Sequence, residues 1–250
     1  MSRKTVATLV VFASLLAGIG MGGLYLRNQL NTRNELVKNQ KREDVSVTIV
    51  EGKRREEIAN SMESAGICSA DAFLAASSGK EGKLFPDTYR FFPNTPATEV
   101  VKALTSTFAK RTRELAPTDD QIILASIIER EATDDTERET ISGVYTNRIN
   151  RGMKLEADPT VQYAKDTQEA KQVRNFAYWG VITRADYKSV NSPYNTYLNQ
   201  RLPPGPIANP GLKSIAAAQN PAKHDYLYFA HREGKLLLSK TLAEHEAKLR

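Results

Sequence analysis

The sequence predicts an α+β protein: an N-terminal transmembrane helix, a small strand-helix-helix module, and a larger helical domain closed by a β-hairpin. Three observations carry that reading. Residues 5–26, TVATLVVFASLLAGIGMGGLYL, contain no charge. β-rich runs stand near the two ends of the remaining chain, VSVTIV at 45–50 and YLYFA with KLLL within 226–238. Between them apolar residues recur at helical spacing, most densely in TDDQIILASIIEREA at 118–132.

A helix over 5–26 would span roughly 33 Å, enough for a bilayer core. The run is longer than the apolar core of a signal peptide, so an uncleaved anchor is expected, with 1–4 as a short cytoplasmic N-terminus. Residues 27–44 are polar and read as a juxtamembrane linker. The module over 45–78 begins with a strand and a Glu51-Gly52 turn. A helix from Arg54 comes next, with Ile58, Met62 and Ala65 on one face and Gly66 as its stop. Ser69 or Asp71 caps a second helix through Ala76. Alone, such a module is too thin to be stable. Cys68 is the one cysteine, so no internal disulfide forms, and it reads as a structural thiol.

The larger domain is expected over 79–250. Residues 79–94, GKEGKLFPDTYRFFPN, read as a loop. Its Phe85, Tyr89, Phe91 and Phe92 either pack under the next helix or line a groove for a ring. Thr95 and Pro96 suit the N-cap and first position of a helix that buries Val100, Val101, Leu104 and Phe108. Pro117 ends it. The central helix opens with a capping box, Thr118 with Gln121. Ile122 to Ile128 is too apolar for a surface helix. Leu124, Ile127, Ile128 and Glu131 follow i, i+3, i+4, i+7 spacing, so Glu131 extends the apolar stripe. Glu129 shares its face with Ile122, Ala125 and Ser126. A carboxyl at the wet end of a buried helix loses hydration, which favours its protonated form and suits a general acid. The bland alternative is a pair of solvated charges beside Arg130.

A further helix carries Ile141, Val144, Tyr145, Arg148 and Ile149 and ends at Gly152. Asp158-Pro159 predicts extended or turn geometry before Thr160. Residues 165–178 read as a polar loop. The proline-rich stretch 192–210 reads as a rigid loop presenting Tyr194, Asn195 and Thr196. A helix over 211–219, a hairpin turning at Arg232-Glu233-Gly234, and a short helix behind the capping box Thr241-Leu-Ala-Glu244 complete the chain.

The formal charge is +6 and the pI about 9.3, suiting nucleic acid, anionic lipid or an anionic wall polymer. The basic residues cluster beside the anchor, which fits lipid headgroups and argues against nucleic acid. His224, His231 and His245 lack metal-ligand spacing, so no metal or other cofactor is expected. There is no glycine-rich phosphate cradle and no G-x-S-x-G elbow. Carboxyl acid catalysis on a glycosidic bond fits what remains, with Glu156 and Asp158 as candidates for a second carboxylate.

ILASIIEREA, ISGVYTNRINRGMKLEADPTVQYA, SPYNTY, LPPGPIANPG, AAQNPAKHDYLYFA and the closing TLAEH are similar to motifs of the YceG-like family of endolytic murein transglycosylases, in order from about Val45 to the end. LFPDTYRF resembles the segment that opens that family's catalytic domain. Members usually carry a longer region before that domain, including a LysM-like wall-binding module, so 45–78 is read as a truncated accessory module.

The resemblance implies a lyase that cleaves the MurNAc–GlcNAc bond within nascent peptidoglycan strands and leaves 1,6-anhydro ends. In that chemistry one glutamate protonates the leaving oxygen and then accepts a proton from the muramic C6 hydroxyl. The catalytic position falls in the Glu129-Arg130-Glu131 triplet and is placed at Glu131, with Glu129 as a supporting or alternative acid. Asn147, Asp158, Thr160, Tyr194, Asn195 and Thr196 are expected to bind substrate. The implied partners are glycan strands, the inner membrane and peptidoglycan synthases, with the catalytic domain on the wall side. A non-catalytic membrane-anchored wall-binding or divisome scaffold is the alternative.

Overall fold

Strand β1 (Val45–Thr48) pairs antiparallel with β2 (Thr88–Phe91), setting Val47 opposite Tyr89. The computed structural model describes residues 43–170 and 176–250, together with Arg27 and Gln29. The expected anchor and nearly all of the expected linker lie outside the described residues. Among the described residues, no helix is long and apolar enough to cross a membrane. Asp44–Arg250 forms one unit.

Helices α1 (Arg55–Ser64) and α2 (Ala70–Ala76) come after β1. Glu57 reaches back to accept the Arg54 backbone N–H at 3.1 Å, and Ser69 caps α2 by accepting from Ala72. Gly66 takes φ +67° where α1 has ended, a conformation that suits glycine. The stretch 79–94 is not all loop, because Thr88–Phe91 finds a strand partner in β1 far back in the chain. Phe85 and Tyr89 are buried and Phe92 is exposed, so the first two act as packing groups. Helix α3 (Ala97–Arg111) begins one residue later than expected: Pro96 is the N-cap, and the Thr95 hydroxyl donates to the Phe92 carbonyl instead. One apolar core joins Val47, Ile58, Met62, Phe73, Leu84, Val100 and Leu104. It runs from the strand-helix-helix segment across residue 79 into β2 and α3.

Helix α4 (Asp119–Glu131) organises the second core. Thr118 and Gln121 form the expected reciprocal cap. All seven residues from Ile122 to Ile128 are buried, and each large aliphatic side chain contributes about 2 kcal/mol by leaving water. Helices α5 (Arg138–Asn150) and α8 (Leu212–Gln219) pack against α4. Gly143 lets α5 approach the segment that follows α8, since a Cβ there would lie 2.4 Å from the Ala222 carbonyl oxygen. Helix α6 (Asp158–Glu169) holds Asp158 and Pro159 inside its first turn, where proline needs no N–H donor. It also absorbs the first residues of the expected polar loop, because Val161 and Ala164 bury one face and Asp166 is turned inward to accept the Trp179 N–H. Residues 171–175 lie outside the described residues. A single turn, α7 (Asp186–Ser189), precedes the proline-rich stretch. Strands β3 (Tyr228–Arg232) and β4 (Lys235–Ser239) pair as a hairpin through Glu233 and Gly234, both at positive φ. Helix α9 (Leu242–Leu249) closes the chain against it, capped by Thr241.

Candidate active site

Glu131 is the last residue of α4, one turn beyond Ile127 and Ile128. That position carries its carboxyl out of the core and into a cavity of about 470 Å³ between α5, α6 and the β3–β4 hairpin. The residue keeps some exposed surface, but its carboxyl is enclosed by protein. The Tyr145 hydroxyl donates to one carboxyl oxygen at 2.8 Å. Tyr145 is itself buried, with its ring edge-on to Phe229 at 5.7 Å. Burial pushes Glu131 up from the ordinary 4.5 to about 7. The Tyr145 hydrogen bond pulls against that rise, Asp158 adds to it, and Arg130 and Arg148 pull against it. Desolvation wins, so this acid exchanges its proton near neutral pH.

Asp158 also lines the cavity. The Tyr197 hydroxyl donates to it at 2.6 Å and the Tyr187 hydroxyl at 3.3 Å. The two rings lie parallel at 4.0 Å. Arg148 completes the wall, with Nε donating to the Leu227 carbonyl at 2.6 Å and Nη1 reaching the Leu155 carbonyl at 2.7 Å and the Glu156 carboxylate at 3.1 Å. It braces the hairpin and the 154–156 segment. His231 stands at the rim, with Nε2 3.0 Å from the buried Glu137 carboxylate.

Of the residues expected from sequence, Glu131, Asp158 and Glu156 line this cavity, with Glu156 paired to Arg148. Glu129 points elsewhere: it pairs with Arg138 at 3.1 Å and accepts the Gly211 N–H at 2.9 Å, tying α4 to α5 and α8. Asn147 donates to the His224 and Tyr226 carbonyls and fixes the approach to β3. Thr160 and Thr196 are buried against each other at 2.9 Å, and Thr196 accepts the Ala157 N–H. Asn195 is fully buried, donating to the Val190 and Tyr187 carbonyls and accepting the Tyr197 N–H. Thr160, Asn195 and Thr196 therefore hold Asp158, Tyr187 and Tyr197 in place from behind. Tyr194 packs on Tyr163 and lines a different cavity, beside Glu81. Tyr145, Tyr187, Tyr197, Tyr228 and His245 were not expected at the site. Tyr145 left one signal: a tyrosine on the buried face of α5 must find a partner for its hydroxyl. The others arrive through contacts between distant segments. Among the described residues, no group of three or more His, Cys, Asp or Glu is placed to hold a metal ion.

These features define an α+β domain whose tyrosine-walled cavity holds an enclosed glutamate with its pKa pushed up to about 7. The sequence profile of the YceG-like family matches residues 3–250, and the chain belongs to that family. An endolytic murein transglycosylase of Bacillus subtilis is 38% identical over 177 residues, covering 66% of this chain and 46% of that protein. One from Streptococcus pneumoniae is 30% identical over 176 residues, covering 66% of this chain and 31% of that protein. The chain thus spans less than half the length of these two relatives. A crystal structure of a yceG-like protein from Listeria monocytogenes superposes with a TM-score of 0.68 at 29% identity, covering 87% of this chain and 81% of that one.

Proposed function

We propose that this protein is an endolytic lytic transglycosylase that cuts the MurNAc–GlcNAc bond within nascent peptidoglycan strands and so ends their elongation. The observation that carries the reading is Glu131, an enclosed carboxyl raised to about 7 and aimed into a cavity walled by tyrosines and a second carboxylate. The names of the Bacillus and Streptococcus relatives support the substrate class.

Glu131 in its protonated form gives its proton to the bridging oxygen, and the bond to the muramic C1 breaks. Positive charge develops at C1. The Asp158 carboxylate, fixed by two tyrosine hydroxyls, is placed to stabilise it. The muramic C6 hydroxyl then closes on C1, so water is not consumed and the product is an anhydro sugar. The hydroxyl's proton needs an acceptor, and Glu131 becomes one once it has given up its own. The chain works on the wall side of the membrane, held by the apolar run at 5–26 close to newly polymerised strands.

The test uses the full-length chain in detergent on uncrosslinked glycan, with products weighed by mass spectrometry. Anhydro ends made by wild type and absent with Glu131→Gln support the reading. Products one water heavier would replace the lyase with a hydrolase. Strands left uncut by wild type would point instead to a wall-binding scaffold.

A further inference from the structure

We infer that the cavity beside Arg201 binds the stem peptide of the glycan strand, the peptide carried on the lactyl group of the muramic acid seated at Glu131. The inference rests on the transglycosylase reading above and deepens it. Its ground is a cavity of about 800 Å³ at the other end of a segment that walls the Glu131 cavity, lined by two opposite charges with no protein partner.

One short segment serves both cavities. Leu155 and Glu156 line the Glu131 cavity, and Gly152 and Met153 line the one beside Arg201. Gly152 takes φ +67° where α5 has ended, and the chain runs on from it beside residues 196–200. Three bonds lace the two stretches together. The Glu156 N–H donates to the Thr196 carbonyl at 3.3 Å, Lys154 Nζ to the Tyr197 carbonyl at 2.9 Å, and Gln200 Nε2 to the Gly152 carbonyl at 3.3 Å. Tyr197 lines the first cavity and Gln200 the other. Met153 and Leu155 are two residues apart, at most about 7 Å in extended chain. A peptide leaving a sugar beside Leu155 covers that distance with about two of its own residues.

The walls suit a peptide. They are aliphatic: Ile123 from α4, Ile149 from α5, then Met153, Leu202 and Pro203. Among the described residues no aromatic ring lines this cavity, whereas four tyrosines line the one at Glu131. A sugar ring has faces to stack on there and none here. Arg201 and Asp120 both line the cavity, and neither makes a hydrogen bond or ion pair among the described residues. Opposite charges that share a cavity without neutralising one another are left for a ligand that carries both signs. An uncrosslinked stem peptide does, with carboxylates for Arg201 and a side-chain amine for Asp120.

The backbone singles out Arg201. Its φ of +70° lies in the left-handed region, where glycine would be at ease. Leu202 separates it from Pro203 and Pro204, which fix the path beyond. Arg201 is exposed, so packing does not explain an arginine there. Strain of this kind collects where ligands are held.

The experiment gives full-length wild type, Arg201→Asn and Asp120→Asn, in detergent, two uncrosslinked strands: one bearing its peptides and one stripped of them by an amidase. Asparagine tolerates the left-handed backbone but carries no charge. The quantity read is the ratio of kcat/KM on the peptide-bearing strand to that on the bare strand, since damage to the fold lowers both alike. Wild type should show a ratio of about tenfold or more, carried by KM, as loss of a charged hydrogen bond predicts. Arg201→Asn should bring it within about threefold of unity. Asp120→Asn should lower it too, and acetylating the peptide amine should cost wild type the same factor. A wild-type ratio near unity, or variants that keep the wild-type ratio, would overturn the inference and leave the parent reading standing. Wild type that cuts neither strand would sink the parent reading and this one with it.

Discussion

Glu131→Gln should remove activity and make the protein more stable at neutral pH. The fold raises the Glu131 pKa from 4.5 to about 7, so it favours the protonated form. Below the unfolded value the group contributes nothing. As pH rises the unfolded chain ionises first, and the folded state carries a penalty that grows until pH passes about 7. One unit is worth about 1.4 kcal/mol, so the full penalty is about 3 kcal/mol. Glutamine mimics the neutral acid and still accepts from Tyr145, so the variant escapes the penalty. Urea unfolding at two pH values reads this directly. With a slope of about 2 kcal/mol/M, the variant's midpoint should exceed wild type by about 1 M or more at about pH 8 and by much less at about pH 5. Glu81 is also pushed up, to about 8, chiefly by burial, but both proteins carry it and the difference cancels it. Equal midpoint differences at the two pH values, or a less stable variant at the higher one, would refute the argument that the site holds a strained acid.

Tyr145→Phe deletes the hydrogen bond that favours the Glu131 carboxylate, so the alkaline limb of kcat/KM should move up by about one unit. Asp158→Asn removes a like charge and should move the same limb down, a sign that a purely structural change would not produce. Glu129→Gln should keep kcat within about threefold and leave that limb in place, while breaking the Arg138 pair costs about 1–3 kcal/mol in unfolding free energy. Gly143→Ala gains about 1 kcal/mol of helix propensity but drives a Cβ to 2.4 Å from a backbone carbonyl, so a net loss of about 1–2 kcal/mol should appear in thermal melts.

The central helix was legible because its information is local. The Thr118 cap, the unbroken run from Ile122 to Ile128 and the stripe that carries Glu131 outward are consecutive residues. The hairpin and the last helix were legible for the same reason, through Gly234 and Thr241. The rest of the site was not. Asp158 faces Glu131 only because Thr196, far along the chain, fixes the backbone at Ala157. Asn195 looked like a presented polar residue in a stiff loop, yet it is spent internally on the carbonyls around Tyr187 and Val190. Strand β2 was missed because TYRF gains its strand geometry from β1. Residues 165–169 were missed because a buried aspartate disguised an inward-facing helical position as polar surface.

The most direct measurement is a carbon-13 NMR titration of glutamate side-chain carboxyls, with the Glu131 resonance assigned as the one absent from Glu131→Gln. A midpoint near pH 7 that rises in Tyr145→Phe is the predicted result. A midpoint below about pH 5, the range of a carboxyl bathed in water, would contradict it.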